Sequence, residues 1–257
     1  MHTHAHTNVP LMTRRESYSA PKSSVDSTII QTVGDFVTTE LQELLLSCPG
    51  AQVLDIGCGA QPFKAFISEL GGGYSGSDVQ QNTQNTVDWV FALDTQEPIA
   101  ESRRERYAII LCTEVLEHIS DWPQAFRNLN QLLKPNGKLI LTTPFVYPLH
   151  EEPSDYLRAT PYYFRVLAQL NSLQIDKQER GGSHGDVLSL ALGLATFEAR
   201  NAGFMAVFQR KLASLLARGL KALLNSSAST IGVNAAGPLY LSNLLVLTKL
   251  PKSTALL

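Results

Sequence analysis

The chain has 257 residues, of which 44% are hydrophobic and 17% charged, with a net charge of −2 and a pI of about 6.3. That length buries a sizeable core, and that composition belongs to a globular protein rather than a disordered one. Mild acidity excludes a general nucleic-acid binder, which is ordinarily basic, and no window approaches the roughly 18 consecutive apolar residues of a membrane span.

Cys48, Cys58 and Cys112 are odd in number and widely spaced. They make no disulfide framework and no zinc pattern, so a reducing cytoplasm is expected, and no metal site. The opening "MHTHAHTNVPLMTRRESYSAPKSSVDS" has no apolar central run, so a secretory leader is not expected. Residues 1–24 are read as a disordered arm. Its His2, His4 and His6 have no surrounding residues to orient them as ligands.

From Ser27 the pattern turns helical: Ile29, Ile30, Val33, Phe36, Val37, Leu41, Leu44 and Leu45 recur at three- and four-residue steps, and "CPG" ends the run. Short apolar runs then alternate with helical segments. "QVLDIG" predicts a first strand, followed by a helix near Pro62–Leu70. "YSGSD", "DWVFALD" and "YAIILC" predict the second, third and fourth strands. A helix from Trp122 to about Leu133 closes at "KPNG", and "KLILTTP" predicts the fifth strand. Strands alternating with helices give a parallel sheet covered on both faces.

Gly57 and Gly59 in "VLDIGCGAQPF" follow the first strand directly. Glycines there let the backbone turn sharply and approach a ligand without Cβ contact. Asp78 ends the second strand about 20 residues on, where a carboxylate accepts from both hydroxyls of a ribose. Asp55 lies inside the first strand, where an ionised carboxylate costs several kcal/mol unless a ligand or a loop amide compensates it. Pro62 occupies the place of a third glycine, and no Gly-Lys-Ser/Thr follows, so a nucleoside without phosphates fits better than a dinucleotide.

Together these segments resemble class I S-adenosylmethionine-dependent methyltransferases, in order from Gln52 to Phe145. "VLDIGCGAQ" is similar to their first motif, "YSGSD" to the second, "FALD" to the third, "YAIILCTEVLEHI" to the fourth, and "LLKPNGKLILTTPF" to the end of the core. The resemblance implies S-adenosyl-L-methionine as cofactor. It places Asp55, Gly57, Cys58, Gly59, Asp78, Leu93, Asp94, Cys112, Thr113 and Glu114 around it, with Asp55 toward the amine, Asp78 on the ribose, and Leu93 and Asp94 beside the adenine. Gln61 departs from the pattern, since many members carry glycine there, and it could narrow the methionine end. Glu114 reads equally as a carboxylate at a helix start or as a functional group. His118 is read first as a packed histidine bonded to a backbone carbonyl.

"TPFVYPLHEEPSDYLRATPYYF" after the fifth strand is rich in polar and aromatic side chains and would cover the site. It is similar to a "P-x-H-x-x-P-x-D-x-x-R-x-T" segment in a methyltransferase type 11-like subgroup, whose members often act in sugar or lipid biosynthesis. His150 is the candidate base for an alcohol nucleophile, and Glu151 or Asp155 could set its tautomer. Asp155 and Arg158 are read as an i,i+3 ion pair shaping the loop.

Near the C-terminus a helical insertion is expected at about 184–225. Its second helix carries an apolar stripe including Phe204, Phe208, Leu212, Leu215, Leu216, Leu220 and Leu223, with Arg210, Lys211, Arg218 and Lys221 mainly off it. Packing on the sheet is favoured over peripheral contact with the inner face of a membrane. "LQIDKQER" reads as the sixth strand. "NAAGPLYLSNLLVLTKLP" holds the seventh, antiparallel and inserted between the fifth and sixth as the family implies. Residues 251–257 form a tail.

The expected architecture is therefore α/β: a Rossmann-like, doubly wound seven-stranded sheet within a methyltransferase domain over 25–250. The expected activity is methyl transfer, at oxygen, to a small-molecule, sugar or lipid-linked acceptor, with no nucleic-acid partner. Nitrogen, carbon and carboxylate acceptors stay open. The rivals are a non-catalytic nucleoside-binding scaffold and a nicotinamide-dependent reductase.

Overall fold

A computed structural model of the chain describes residues 27–198 and 237–251, with isolated positions between 208 and 219. The expected arm and most of the second insertion helix lie outside the described residues. Seven strands form one sheet: β1 (Gln52–Ile56), β2 (Gly73–Asp78), β3 (Trp89–Val90), β4 (Tyr107–Thr113), β5 (Leu133–Pro144), β6 (Leu173–Gly181) and β7 (Ser242–Lys249). Their order is β3-β2-β1-β4-β5-β7-β6, and β7 runs antiparallel to both neighbours, as the sequence reading expected.

Alternation along the strands sorts side chains onto two faces. Val53, Ile109, Leu111, Ile140, Leu244 and Val246 join one cluster with α1 (Ser27–Ser47), α2 (Lys64–Glu69) and α5 (His184–Glu198). Leu54, Ile56, Ile110, Leu139, Leu141 and Leu245 join the other, with α3 (Trp122–Leu132) and α4 (Pro161–Leu170). Fully burying one such aliphatic side chain contributes about 1.5–3 kcal/mol, so the two layers hold the sheet between them. Asp121 caps α3 by accepting from the Gln124 amide at 2.9 Å.

Four expectations need correction. The third strand is only Trp89–Val90, because the chain leaves the sheet where Asn128 Nδ2 donates to the Leu93 and Thr95 carbonyls at 2.8 and 2.9 Å. "KPNG" is a bulge within a longer β5: the ladder pairs Tyr107 with Leu133 and resumes with Ile109 opposite Lys138. Asn136 there takes a left-handed φ of 62°. The covering segment is not all loop, since Pro161 starts α4, whose Phe164 and Leu167 enter the core. In the expected C-terminal stripe, Phe208, Leu212, Leu215 and Leu216 are exposed. No helix among the described residues is long and apolar enough to cross a membrane.

Candidate active site

Parallel sheets bind ligands at the carboxyl ends of the strands where the strand order reverses. Here that point lies between β1 and β4. A cleft of about 430 Å³ opens there, within the range of small-molecule sites.

The glycine loop forms its floor. Gly57 and Gly59 have φ of 68° and 49°, a region that side chains rarely enter. A Cβ on Gly57 would lie 2.3 Å from Val115 Cγ2, so the turn leaves no room for one. Asp78 closes the loop from the neighbouring strand, its Oδ2 accepting from the Gly59 amide at 3.0 Å. Asp55 and Asp78 line the same cleft.

Asp55 is 3% exposed. Burial pushes its carboxyl up to about 7, against the pull of a hydrogen bond from the Tyr74 hydroxyl. Tyr74 Oη donates to Asp55 Oδ2 at 2.9 Å. The expected compensation by a ligand or loop amide is thus a tyrosine on β2. A phenol two residues into that strand gave no sequence signal beyond its neighbourhood. Cys58 is buried beneath the loop, and burial together with Asp55 and Asp78 pushes its thiol up to about 12, so it stays neutral.

Gln61 has φ of 61°, the backbone a glycine would adopt, yet it does not narrow the cleft. Its Nε2 donates to the Thr86 carbonyl at 2.6 Å and its Oε1 accepts from Lys64 Nζ at 3.1 Å. Asn82 Nδ2 adds a bond to the Gly59 carbonyl at 2.9 Å. The loop after β2 is therefore fastened to the glycine turn.

Leu93 and Asp94 line the opposite wall, joined by Phe91, which stacks on Trp89 at 3.8 Å between ring centroids. The sequence reading missed Phe91. Thr113 and Glu114 line the cleft at the end of β4, whereas Cys112 lies in the core with α3 and α4 and does not reach it. The alternation of a strand turns successive side chains to opposite faces, and Cys112 takes the closed one. Glu114 does not start an α-helix. It has φ of 53°, and its Oε1 accepts from Thr142 Oγ1 at 2.9 Å.

Glu117 and His118 follow in a single 3-10 turn, Leu116–His118. His118 Nδ1 bonds the Ser154 carbonyl at 2.6 Å, as its packed reading expected. Arg158 donates to both Asp155 oxygens at 2.5 and 2.7 Å, so the predicted ion pair forms. The same carboxylate serves His150: Asp155 Oδ2 accepts from the His150 amide at 3.0 Å and lies 3.2 Å from its Nδ1. Burial pushes the Asp155 carboxyl up, but the bonds from Arg158 and His150 outweigh it and hold it below the ordinary value. His150 is pulled below its ordinary value by burial and then by His118, against Asp155, so its imidazole is neutral near pH 7. His150 Nδ1 also bonds the Pro148 carbonyl at 3.3 Å, so the acceptors at that nitrogen are Pro148 and Asp155 rather than Glu151. Glu151 Oε2 instead lies 4.0 Å from His118 Nε2.

Residues 31–179, more than half of the chain, match the family described as Methyltransferase domain. The chain belongs to this methyltransferase family. Its curated relatives include ubiquinone biosynthesis O-methyltransferases. That of Pseudomonas entomophila is 27% identical over 123 residues, covering 44% of this chain and 51% of the relative. That of Xanthomonas oryzae is 27% identical over 136 residues, covering 46% and 57%. The chain thus spans about half the length of the curated relatives it matches.

Among solved structures, one is a Galdieria sulphuraria protein assigned as a sarcosine dimethylglycine methyltransferase. It has a TM-score of 0.55 at 17% identity, over 91% of this chain and 92% of that one. The cyclase SpnF reaches 0.52 at 16% identity, over 84% and 80%. A cyclase on the same fold is a reminder that fold alone does not decide chemistry. The family match narrows it: the matched region is a methyltransferase domain, which speaks against a nicotinamide-dependent reductase.

The residues present fit S-adenosylmethionine as methyl donor. A carboxylate at the end of β2 suits a ribose diol, a buried acid beside the glycine turn suits a cationic amine, and Phe91 and Leu93 offer an apolar wall for an adenine. No group of the described cleft matches the needs of a phosphate, which calls for basic side chains or a longer glycine loop.

Proposed function

We propose that the enzyme methylates a hydroxyl oxygen of a small acceptor, free or lipid-linked, with His150 receiving the hydroxyl proton. Asp55 holds the donor's amine, Asp78 its ribose, and Leu93 and Asp94 the adenine side, along the turn of Gly57, Cys58 and Gly59 with Thr113 and Glu114. S-adenosylmethionine supplies an electrophilic methyl group on a sulfonium. The acceptor oxygen forms the new carbon–oxygen bond as the carbon–sulfur bond breaks, and sulfur keeps that electron pair. The hydroxyl proton must leave. The chain's contribution is alignment of oxygen, carbon and sulfur, together with a route for that proton.

The observation that carries this reading is the anchoring of His150. Its amide donates to Asp155 Oδ2, its Nδ1 bonds the Pro148 carbonyl at 3.3 Å with Asp155 Oδ2 3.2 Å away, and its ring lines the cleft that Asp55 and Asp78 share. A neutral imidazole fixed in that tautomer presents a basic Nε2. The O-methyltransferase names of the curated relatives point the same way.

The test is product analysis. The chain is incubated with S-adenosylmethionine and matched phenol, sugar-alcohol and amine acceptors, and products are identified by mass spectrometry. Methyl ethers with equimolar S-adenosylhomocysteine support the reading, and His150→Ala lowers their formation by about a hundredfold or more while donor affinity holds. Methylation confined to amines overturns it. Donor binding with no turnover on any acceptor favours the scaffold instead.

A further inference from the structure

Three electron-rich atoms converge at the acceptor side of the cleft. Glu117 Oε1 lies 3.8 Å from His118 Nε2 and 3.9 Å from His150 Nε2, and the three lie within 4.8 Å of one another. Glu117 is fully buried, and both histidine side chains are less than one-fifth exposed. His118 and His150 both line the cleft.

The far side of each ring fixes what the near side presents. His118 Nδ1 faces a carbonyl oxygen at 2.6 Å, which can only accept, so that nitrogen carries the hydrogen. His150 Nδ1 faces the Asp155 carboxylate at 3.2 Å and the Pro148 carbonyl at 3.3 Å, which are also acceptors. The Nε2 atoms of both rings then face one buried carboxylate oxygen. Three nitrogen and oxygen atoms of metal-ligating types facing one point can share a cation between them. A carbonyl or carboxylate on the remote nitrogen is also how proteins hold metal-binding imidazoles in register.

We propose that Glu117 Oε1, His118 Nε2 and His150 Nε2 hold one divalent transition cation beside the methyl-donor cleft. Two imidazoles and one carboxylate suit Mn²⁺, Fe²⁺ or Zn²⁺ better than Ca²⁺ or Mg²⁺, which favour all-oxygen sites. Bonds of about 2.0–2.2 Å set three such ligand atoms roughly 3–3.5 Å apart. The two Glu117–histidine separations, 3.8 and 3.9 Å, and the 4.8 Å that bounds the whole cluster are longer, so side-chain rotations must draw the three atoms together. Three protein ligands leave positions open for an acceptor oxygen.

This deepens the O-methylation reading and rests on it for its catalytic consequence. A hydroxyl bound to the cation loses its proton more readily. In the metal-loaded enzyme His150 is a ligand and the proton passes to solvent or to the Glu151 carboxylate at the rim, whereas without the cation His150 receives it as proposed above. No metal spacing is visible along the chain, because His150 lies in a separate loop from "EVLEH" and only the fold joins them.

The test measures binding without any acceptor. His2, His4 and His6 are first replaced by alanine in the full chain, so that the N-terminal cluster cannot contribute. Mn²⁺ binding is followed by electron paramagnetic resonance, and Zn²⁺ content by elemental analysis after dialysis. One cation per chain is expected, with affinity about tenfold or more weaker in both Glu117→Gln and His118→Ala, each checked for a native circular-dichroism spectrum and retained S-adenosylhomocysteine binding. No stoichiometric binding of either metal overturns the proposal, as does binding that survives both substitutions. O-methylation that persists unchanged in chelator-treated enzyme removes the cation from catalysis and leaves the O-methylation reading standing. Amine-only methylation by enzyme that does bind one cation rejects the O-methylation reading and keeps the site.

Discussion

Tyr74 on β2 donates its hydroxyl to Asp55 Oδ2 on β1 at 2.9 Å, across neighbouring parallel strands that pair Val53 with Tyr74. That bond is a permanent partner for the carboxylate beneath the donor cleft. Tyr74→Phe removes one hydrogen bond worth about 0.5–1.5 kcal/mol. S-adenosylhomocysteine affinity at pH 7 should therefore fall by about three- to tenfold, because the carboxyl becomes harder to ionise. Isothermal titration that shows equal affinities for both proteins would discard Tyr74 as a support of the site.

The Asp55 carboxyl sets a pH dependence. Its folded value of about 7 stands above its ordinary 3.8, raised chiefly by burial. The protonated form therefore favours the fold: this contribution is complete below about pH 4 and is lost as pH rises through about 7. Binding of a cationic amine favours the ionised form, so ligand affinity should climb between pH 5.5 and 7.5 (about two pH units spanning the Asp55 midpoint) and level off above. Asp55→Asn should flatten that rise. A pH-independent affinity in the unaltered chain counts against contact between Asp55 and the amine.

Asp78 does two things at once, since it would receive the ribose hydroxyls and it accepts from the Gly59 amide. Losing a charged hydrogen-bonding group costs about 1.5–3 kcal/mol. Asp78→Ala is expected to weaken S-adenosylhomocysteine by about ten- to a hundredfold, with a smaller loss for 2′-deoxy analogues that lack part of the contact. Equal losses for both ligands would mean that Asp78 acts only by holding the loop.

Gly57 faces Val115 so closely that an added Cβ would sit 2.3 Å from Cγ2. Gly57→Ala should abolish detectable donor binding and lower the melting temperature. In the double variant Gly57→Ala/Val115→Ala the collision is relieved, while the left-handed φ of 68° still costs about 1–2 kcal/mol. Partial recovery of stability in the double variant is the expected coupling. A melting temperature no higher than that of the single variant would locate the obstruction elsewhere.

Much of this architecture is written locally. Period-2 runs such as "VLDI" and "LILTT" specify strands, the three- and four-residue spacing from Ile29 to Leu45 specifies a helix, and both survive in the fold because each pattern states which side chains must leave water. Gly57, Gly59 and Asp78 were legible for the same reason: backbone freedom and a strand-end carboxylate are local properties. Other features depended on which loops meet. Cys112 turns into the core because the sheet register, not its place in a motif, decides its face. Gln61 keeps a glycine's backbone while its amide reaches Thr86, a contact that exists only once the loop after β2 folds back.

The sequence by itself thus determined the layered α/β sheet and the glycine turn with its two carboxylates, since hydrophobic period and backbone freedom act over neighbouring residues. Only the tertiary structure decided that Tyr74 meets Asp55, and that Glu117, His118 and His150 point their polar atoms at one another. Those approaches join separate strands and loops, and their distances come from how the whole core packs.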